Sequence, residues 1–202
     1  MKRFSISQPC TGYYEEKNSK FYAYLAPCVD QTACETFIAK IRSLHPEAGH
    51  HCYAYQLYQP GQQAVCAYSD DGEPSGTAGK PLYQPLLHGH LFNVCLVVSR
   101  KYGGTQLGTG GLARAYAKAA ASALKQADVL EIEERIKTEL HGEFHNEANI
   151  RHVCASAGAR ITQAEYLTDK VILQLEVKQE KHRDLLSQLH KQNLLKTVGP
   201  ET

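Results

Sequence analysis

The sequence predicts a two-unit α+β protein, and three observations carry that expectation. In the first half an apolar run, Phe92 to Val98, leads through a glycine-rich loop into an alanine-rich stretch with Leu112, Tyr116, Ala119, Ala120 and Ala123 at helical spacing, a strand–loop–helix order. In the second half Val171, Leu173, Leu175 and Val177 alternate with Ile172, Gln174, Glu176 and Lys178, the period of a half-buried strand. Between them the charge reverses. Residues 78–127 hold Lys80, Arg100, Lys101, Arg114, Lys118 and Lys125 with no acid, whereas residues 128–147 carry seven acids against Arg135 and Lys137. A reversal at one point marks a boundary, giving units 1–127 and 128–202.

Taken in order, residues 13–26 are aromatic-rich on either side of Asn18-Ser19 and read as two strands or one interrupted strand. Thr32 to Glu35 has capping-box spacing; Cys34, Phe37, Ile38, Ile41 and Leu44 then share a helix face that Pro46 ends. His51 to Tyr58 alternates as a strand, with Gln63 to Tyr68 as its partner across Pro60-Gly61. The second half reads as βαββαβ. Val129 to Leu140 is its first strand, although the composition there favours helix; Phe144 to Ala157, closed by Gly158, is its first helix. Strands follow at Arg160 to Leu167 and at Val171 to Lys178, then a helix from Arg183 to Lys191 and a strand at Leu194 to Val198. A unit of this size has little core of its own and is expected to lean on a neighbour or a second copy.

Composition excludes several classes. With 43% hydrophobic and 21% charged residues the chain is globular rather than disordered. No apolar run reaches the roughly 20 residues that span a bilayer, and the first residues lack the apolar segment of a secretory signal, so the expectation is a cytoplasmic protein without membrane contact. Seven cysteines, Cys10, Cys28, Cys34, Cys52, Cys66, Cys95 and Cys154, are an odd number with no CxxC pair, which argues against a disulfide framework and a zinc site.

Two dense stretches could carry chemistry. The loop in Ser99 to Tyr116 spends five glycines, Gly103, Gly104, Gly108, Gly110 and Gly111, beside Arg100, Lys101 and Arg114. A helix start has unpaired N–H groups and the positive end of the dipole, so this arrangement is ready to hold an anion. It lacks the order of a P-loop and the spacing of a dinucleotide turn, and the plainer reading is that the glycines let two loops pack closely. In the second stretch, Ser69 to Pro81, Asp70, Asp71 and Glu73 could hold Mg²⁺, but Asp, Ser and Thr beside Gly and Pro are also what a tight loop and a helix cap require. That plainer reading weighs more, and no metal or other cofactor is assigned. Cys52 beside His51 points to the opposite face of a strand, so no catalytic residue is assigned either. Tyr53, Tyr55, Tyr83, Tyr102 and Tyr116 lie near or within the basic half, and exposed rings among cations suit single-stranded nucleic acid.

The stretch Ser69-Asp-Asp-Gly-Glu-Pro-Ser-Gly-Thr-Ala-Gly-Lys-Pro81, followed by Arg100-Lys-Tyr-Gly-Gly-Thr-Gln-Leu-Gly-Thr-Gly-Gly-Leu-Ala-Arg-Ala-Tyr116, resembles the IMPACT/YigZ family. Ser19-Lys-Phe21 and His45 to Tyr55 resemble two further family segments, so the likeness covers most of residues 13–125. It implies an N-terminal α/β sandwich like that of a small-subunit ribosomal protein and domain IV of elongation factor G. It also implies a C-terminal ferredoxin-like domain similar to domain V of that factor. With no RWD-type domain, the chain is expected to be of the bacterial two-domain form; eukaryotic relatives act on starvation control of translation through a ribosome-associated partner. Lys101 stands where the family more often has an aromatic residue, and Thr105-Gln106 replaces a more apolar pair.

The reading that results is a non-enzymatic RNA- or ribosome-binding regulator of translation. Phosphate would lie against Gly108, Gly110 and Gly111, with Lys80, Arg100, Lys101, Tyr102, Gly103, Gly104, Arg114 and Tyr116 around it. Ser69, Asp70, Asp71, Glu73 and Thr77 would form the loop facing that site. The alternatives are a Mg²⁺-dependent enzyme acting on a phosphorylated small molecule or nucleotide, and a protein-interaction module docking a partner through the C-terminal unit.

Overall fold

A computed structural model describes residues 2–195 and the backbone of residues 197–198. The chain divides into two compact units, 1–132 and 133–202.

The first unit contains β1 (Phe4–Ile6), β2 (Cys10–Glu16), β3 (Ser19–Pro27), α1 (Gln31–Leu44), β4 (His50–Leu57), β5 (Val65–Ser69), α2 (Gly79–His88), β6 (Val94–Lys101), α3 (Gly108–Leu124) and β7 (Val129–Glu131). Five strands form one antiparallel sheet in the order β2-β3-β6-β4-β5, while β1 pairs with β7. The aromatic-rich segment is therefore two strands, joined at Lys17 and Asn18, both at positive φ as the two-residue hairpin turn requires. Because Val129–Glu131 returns to β1, the division between units falls after Ile132, beyond the charge reversal at 127/128. The segment expected as one strand, Val129 to Leu140, is thus two strands that belong to different units.

Strand alternation builds two cores on the main sheet. Phe21, Ala23, Leu25, Cys52, Ala54, Leu96 and Val98 face α2 and α3, where Leu82, Leu86, Leu112, Tyr116 and the α3 alanines bury against them. Tyr55, Leu57, Cys95 and Val97 face the other way and take Cys34 and Ile41 of α1. The result is the expected α/β sandwich, a sheet with helices on both faces. The α1 cap is Asp30 rather than Thr32: its Oδ1 accepts from the Ala33 N–H at 2.7 Å, so the helix begins one residue before Thr32.

The second unit runs β8 (Arg135–Glu143), a 3₁₀ turn (Phe144–Asn146), α4 (Glu147–Ser156), β9 (Arg160–Tyr166), β10 (Lys170–Lys178), α5 (Gln179–Lys191) and β11 (Thr197–Val198). Its sheet order, β11-β8-β10-β9, is the ferredoxin-like arrangement. Val171, Leu173, Leu175 and Val177 turn inward with Leu140 against Ile150, Val153 and Cys154 of α4 and Leu185 and Leu189 of α5. On the opposite face Lys137 pairs with Glu176 and His141 with Glu139, so that face carries charges of both signs.

Candidate functional site

The glycine loop has a structural duty first. A Cβ on Gly103 would lie 2.1 Å from the Asn18 carbonyl carbon, so only glycine lets the strand β6 exit pass over the β2–β3 turn. The Gly103 N–H also donates to Ser19 Oγ at 3.1 Å. The close-packing reading of the glycines therefore holds at Gly103.

Beyond it, the start of α3 is open. Leu107 is the N-cap, no side chain caps the first turn, and that turn holds no acid. Gly104, Gly108 and Gly110 are exposed. A Cβ on Gly110 would lie 3.4 Å from Arg114 Nη1, which places the Arg114 guanidinium beside Gly110. Lys80, Lys101 and Arg114 are exposed, and none makes an ion pair with a carboxylate among the described residues, although Lys101 lies near enough to Glu47 to help hold that carboxyl low. Tyr102 is 54% exposed.

Arg100 and Tyr116 behave differently from the rest of the expected set. Arg100 is 6% exposed; its Nη1 donates to Glu73 Oε1 at 2.7 Å, and its guanidinium carbon lies 5.5 Å from the Tyr102 ring centre. Tyr116 is fully buried, donates to the same Glu73 oxygen at 2.8 Å, accepts from Cys52 Sγ at 3.3 Å, and meets Phe21 edge-on at 5.1 Å. Burial raises the Tyr116 hydroxyl and the Cys52 thiol far above their ordinary pKa values, so both stay protonated and donate. Arg100 is thus spent on a buried carboxylate, and neither side chain is free to meet a phosphate.

The acidic loop is spent in the same way. Asp70 Oδ1 accepts from the N–H groups of Ala78 and Gly79 and its Oδ2 from that of Gly76, each at 2.8 Å, which caps α2 from nine residues away. Burial raises the Asp70 carboxyl, but the three amides together outweigh it and hold the group below the usual carboxylate range. Asp71 takes the His51 N–H at 2.7 Å and Arg42 at 3.0 Å, Ser69 Oγ accepts from the Asp71 N–H at 3.1 Å, and Thr77 Oγ1 donates to the Pro74 carbonyl at 2.6 Å. The three carboxylates face three different partner sets, and among the described residues no cluster of His, Cys, Asp or Glu is placed to hold a metal ion. The acidic loop is therefore a clamp between the sheet, α2 and Arg100.

Lys118 belongs beside Arg114, one helical turn further on, where the i,i+4 spacing could have shown it. Its Nζ donates to Tyr14 Oη at 2.8 Å and lies 4.8 Å from that ring's centre.

Residues 17–124 match the model of the Impact N-terminal domain. The chain belongs to the IMPACT family. It is 35% identical over 158 residues to the IMPACT family member YigZ of Escherichia coli, covering 78% of each chain. It is 41% identical over 140 residues to an IMPACT family member of Haemophilus influenzae, covering 69% of this chain and 66% of that one. A crystal structure described as that of a hypothetical protein superposes with a TM-score of 0.67 at 31% identity, covering 94% of this chain and 92% of the other. In this IMPACT chain both long motifs meet in one place: the first supplies Asp70 and Glu73, the second supplies Arg100 and Tyr116, and Glu73 joins them.

Proposed function

We propose that this chain is a non-enzymatic regulator of translation whose N-terminal unit binds RNA or the ribosome through phosphate contacts at the start of α3. The observation that carries the reading is the solvent-open first turn of α3, capped by no side chain and with the Arg114 guanidinium beside Gly110. Lys101 and Lys118 extend the positive charge, and Tyr102 offers a ring face. Lys80 is an outlying contact. Membership of the IMPACT family supports the regulatory part, because the resemblance implies eukaryotic relatives that act on translation.

Within this reading Arg100 and Tyr116 position the loop rather than touch the ligand. Through Glu73 they fix the end of β6 against α3, so the strand exit and the helix start keep one geometry.

The test is binding of a single-stranded RNA oligonucleotide, followed by fluorescence anisotropy across salt concentrations. The unmodified chain loses affinity steeply as salt rises. A Lys101→Ala/Arg114→Ala variant binds less tightly, with a log–log salt slope shallower by about 1.4, roughly 0.7 for each phosphate contact removed. Binding that ignores salt, or a variant with the parent's slope, overturns the reading. Co-sedimentation with ribosomes that survives nuclease treatment would point to a protein partner instead.

A further inference from the structure

The two cores of the main sheet differ in a way the RNA reading does not use. Under α1, three cysteines come together: Cys28 just past β3, Cys34 in the first turns of α1, and Cys95 on β6 opposite Ala26. Cys34 and Cys95 are fully buried and Cys28 is 4% exposed. The Cys34 and Cys95 thiols lie close enough to the Cys28 sulfur to interact with it. The Cys28 backbone is pinned by its N–H donating to the Asn93 carbonyl at 2.9 Å. A groove of about 490 Å³ opens beside Cys28, with Asp30, Phe37 and Lys40 among its walls.

We propose that Cys28 is a site of reversible thiol oxidation, in which its sulfur attacks a hydroperoxide and Cys34 or Cys95 then resolves the product as a disulfide. The Cys28 sulfur attacks one peroxide oxygen and the O–O bond breaks; sulfur is oxidised to sulfenic acid, while the other oxygen leaves as hydroxide or alkoxide and takes up a proton. The neighbouring thiol then attacks the sulfenic sulfur, the S–OH bond breaks, and water departs with the proton the second thiol gives up. Two thiols and one hydroperoxide become a disulfide, a water and an alcohol, or a second water when the oxidant is hydrogen peroxide.

The surroundings suit this division of labour. The neighbouring Cys34 and Cys95 favour the Cys28 thiolate and outweigh both burial and the Asp30 charge, so the Cys28 thiol is drawn below the usual range. Cys34 and Cys95 are both raised, chiefly through their proximity to Cys28, so both hold their protons until the sulfenic acid has formed. The groups facing the cluster are Asp30 before α1, Lys40 on α1 and Tyr55 on β4. Elsewhere burial raises the Cys52 and Cys154 thiols with no sulfur partner beside them, the setting of an inert cysteine.

The test uses the full chain with the exposed Cys66 replaced, Cys66→Ser, so that surface oxidation does not obscure the result. The native protein is treated with hydrogen peroxide, unfolded in an alkylating reagent, and mapped by peptide mass. The expected product has lost two hydrogens, with the bond joining Cys28 to Cys34 or to Cys95, and a dithiol reductant restores the starting mass. Cys28→Ser abolishes the bond. Because that change alters a packed core, Cys34→Ser/Cys95→Ser provides a second arm that keeps an O–H donor on each neighbour of the Cys28 sulfur but removes both resolving thiols: Cys28 then accumulates as sulfenic acid that dimedone captures. Complete alkylation of Cys28 after a free-cysteine standard has been consumed overturns the proposal, as does oxidation of Cys28 to sulfonic acid with no disulfide on the way.

Discussion

Replacing Glu73 with alanine should destabilise the N-terminal unit far more than any surface charge change. The Glu73 side chain is 3% exposed and that of Arg100 is 7% exposed, and one carboxylate oxygen serves both Arg100 at 2.7 Å and Tyr116 at 2.8 Å. Glu73→Ala leaves a buried guanidinium without a counter-ion and a buried phenol without an acceptor. Breaking a buried pair from one side costs about 3–5 kcal/mol, and the phenol's loss falls within that range because both donors share the same oxygen. With a urea m-value of about 2 kcal/mol/M, the midpoint falls by roughly 2 M. Arg100→Ala should cost a similar amount. A Glu73→Leu/Arg100→Met double variant, which removes both charges and fills the volume, should return to within about 2 kcal/mol of the parent, whereas its own singles, Glu73→Leu and Arg100→Met, should each cost about 3–5 kcal/mol, giving a coupling of about 4 kcal/mol or more. Urea titration followed by circular dichroism measures all four corners of the cycle. A single variant within about 1 kcal/mol of the parent, or a double variant that pays the sum of the singles, refutes the account of Glu73 as the buried joint of the two motifs.

Gly103→Ala should destabilise by about 1–3 kcal/mol or more, since the added methyl meets the Asn18 backbone and not a movable side chain; the same urea titration reads it. Asp30→Ala removes the α1 cap and should cost about 1 kcal/mol, with thermal unfolding as the readout. Asp70 contributes stability above its unfolded-state pKa that is lost as pH falls toward the depressed folded one, because the unfolded chain then takes up the proton first. Asp70→Asn should therefore be less stable at neutral pH and lose less between about pH 5 and pH 3; midpoints that fall in parallel for the two chains would contradict this.

Much of the architecture could be read from local pattern because the pattern is short-range. The alternation at Val171 to Val177 and the spacing through Phe37 and Ile41 depend only on which side of an element meets a core, and both elements stand where that spacing places them. The α2 helix was not legible in this way. It opens on Gly-Lys-Pro, carries Pro85 inside, and takes its cap from Asp70 across a loop, a signal no window around residues 79–88 contains. Thr32 misled for a related reason, since the capping-box spacing was present but the preceding Asp30 reached the Ala33 amide.

The candidate site was half legible. Residue type and spacing brought the α3 start, Lys101, Tyr102 and Arg114 to notice, and these stay at the surface. The same reasoning counted Arg100 among the free cations, because a charge shows its sign in the sequence and not its partner. The cysteines carried the same gap in the other direction: seven scattered positions argued against a disulfide framework and a zinc site, while three of them meet under one helix.

By itself the sequence determined most of the elements, their inward faces and the family, since those follow from local periodicity and from motifs that are contiguous in the chain. Only the tertiary structure decided which charges remain available. Glu73 reaches Arg100 and Tyr116 over separations of 27 and 43 residues, and at such separations pairing follows from how strands and helices stack, which turns an apparent phosphate-binding arginine and a carboxylate of the facing loop into one buried joint.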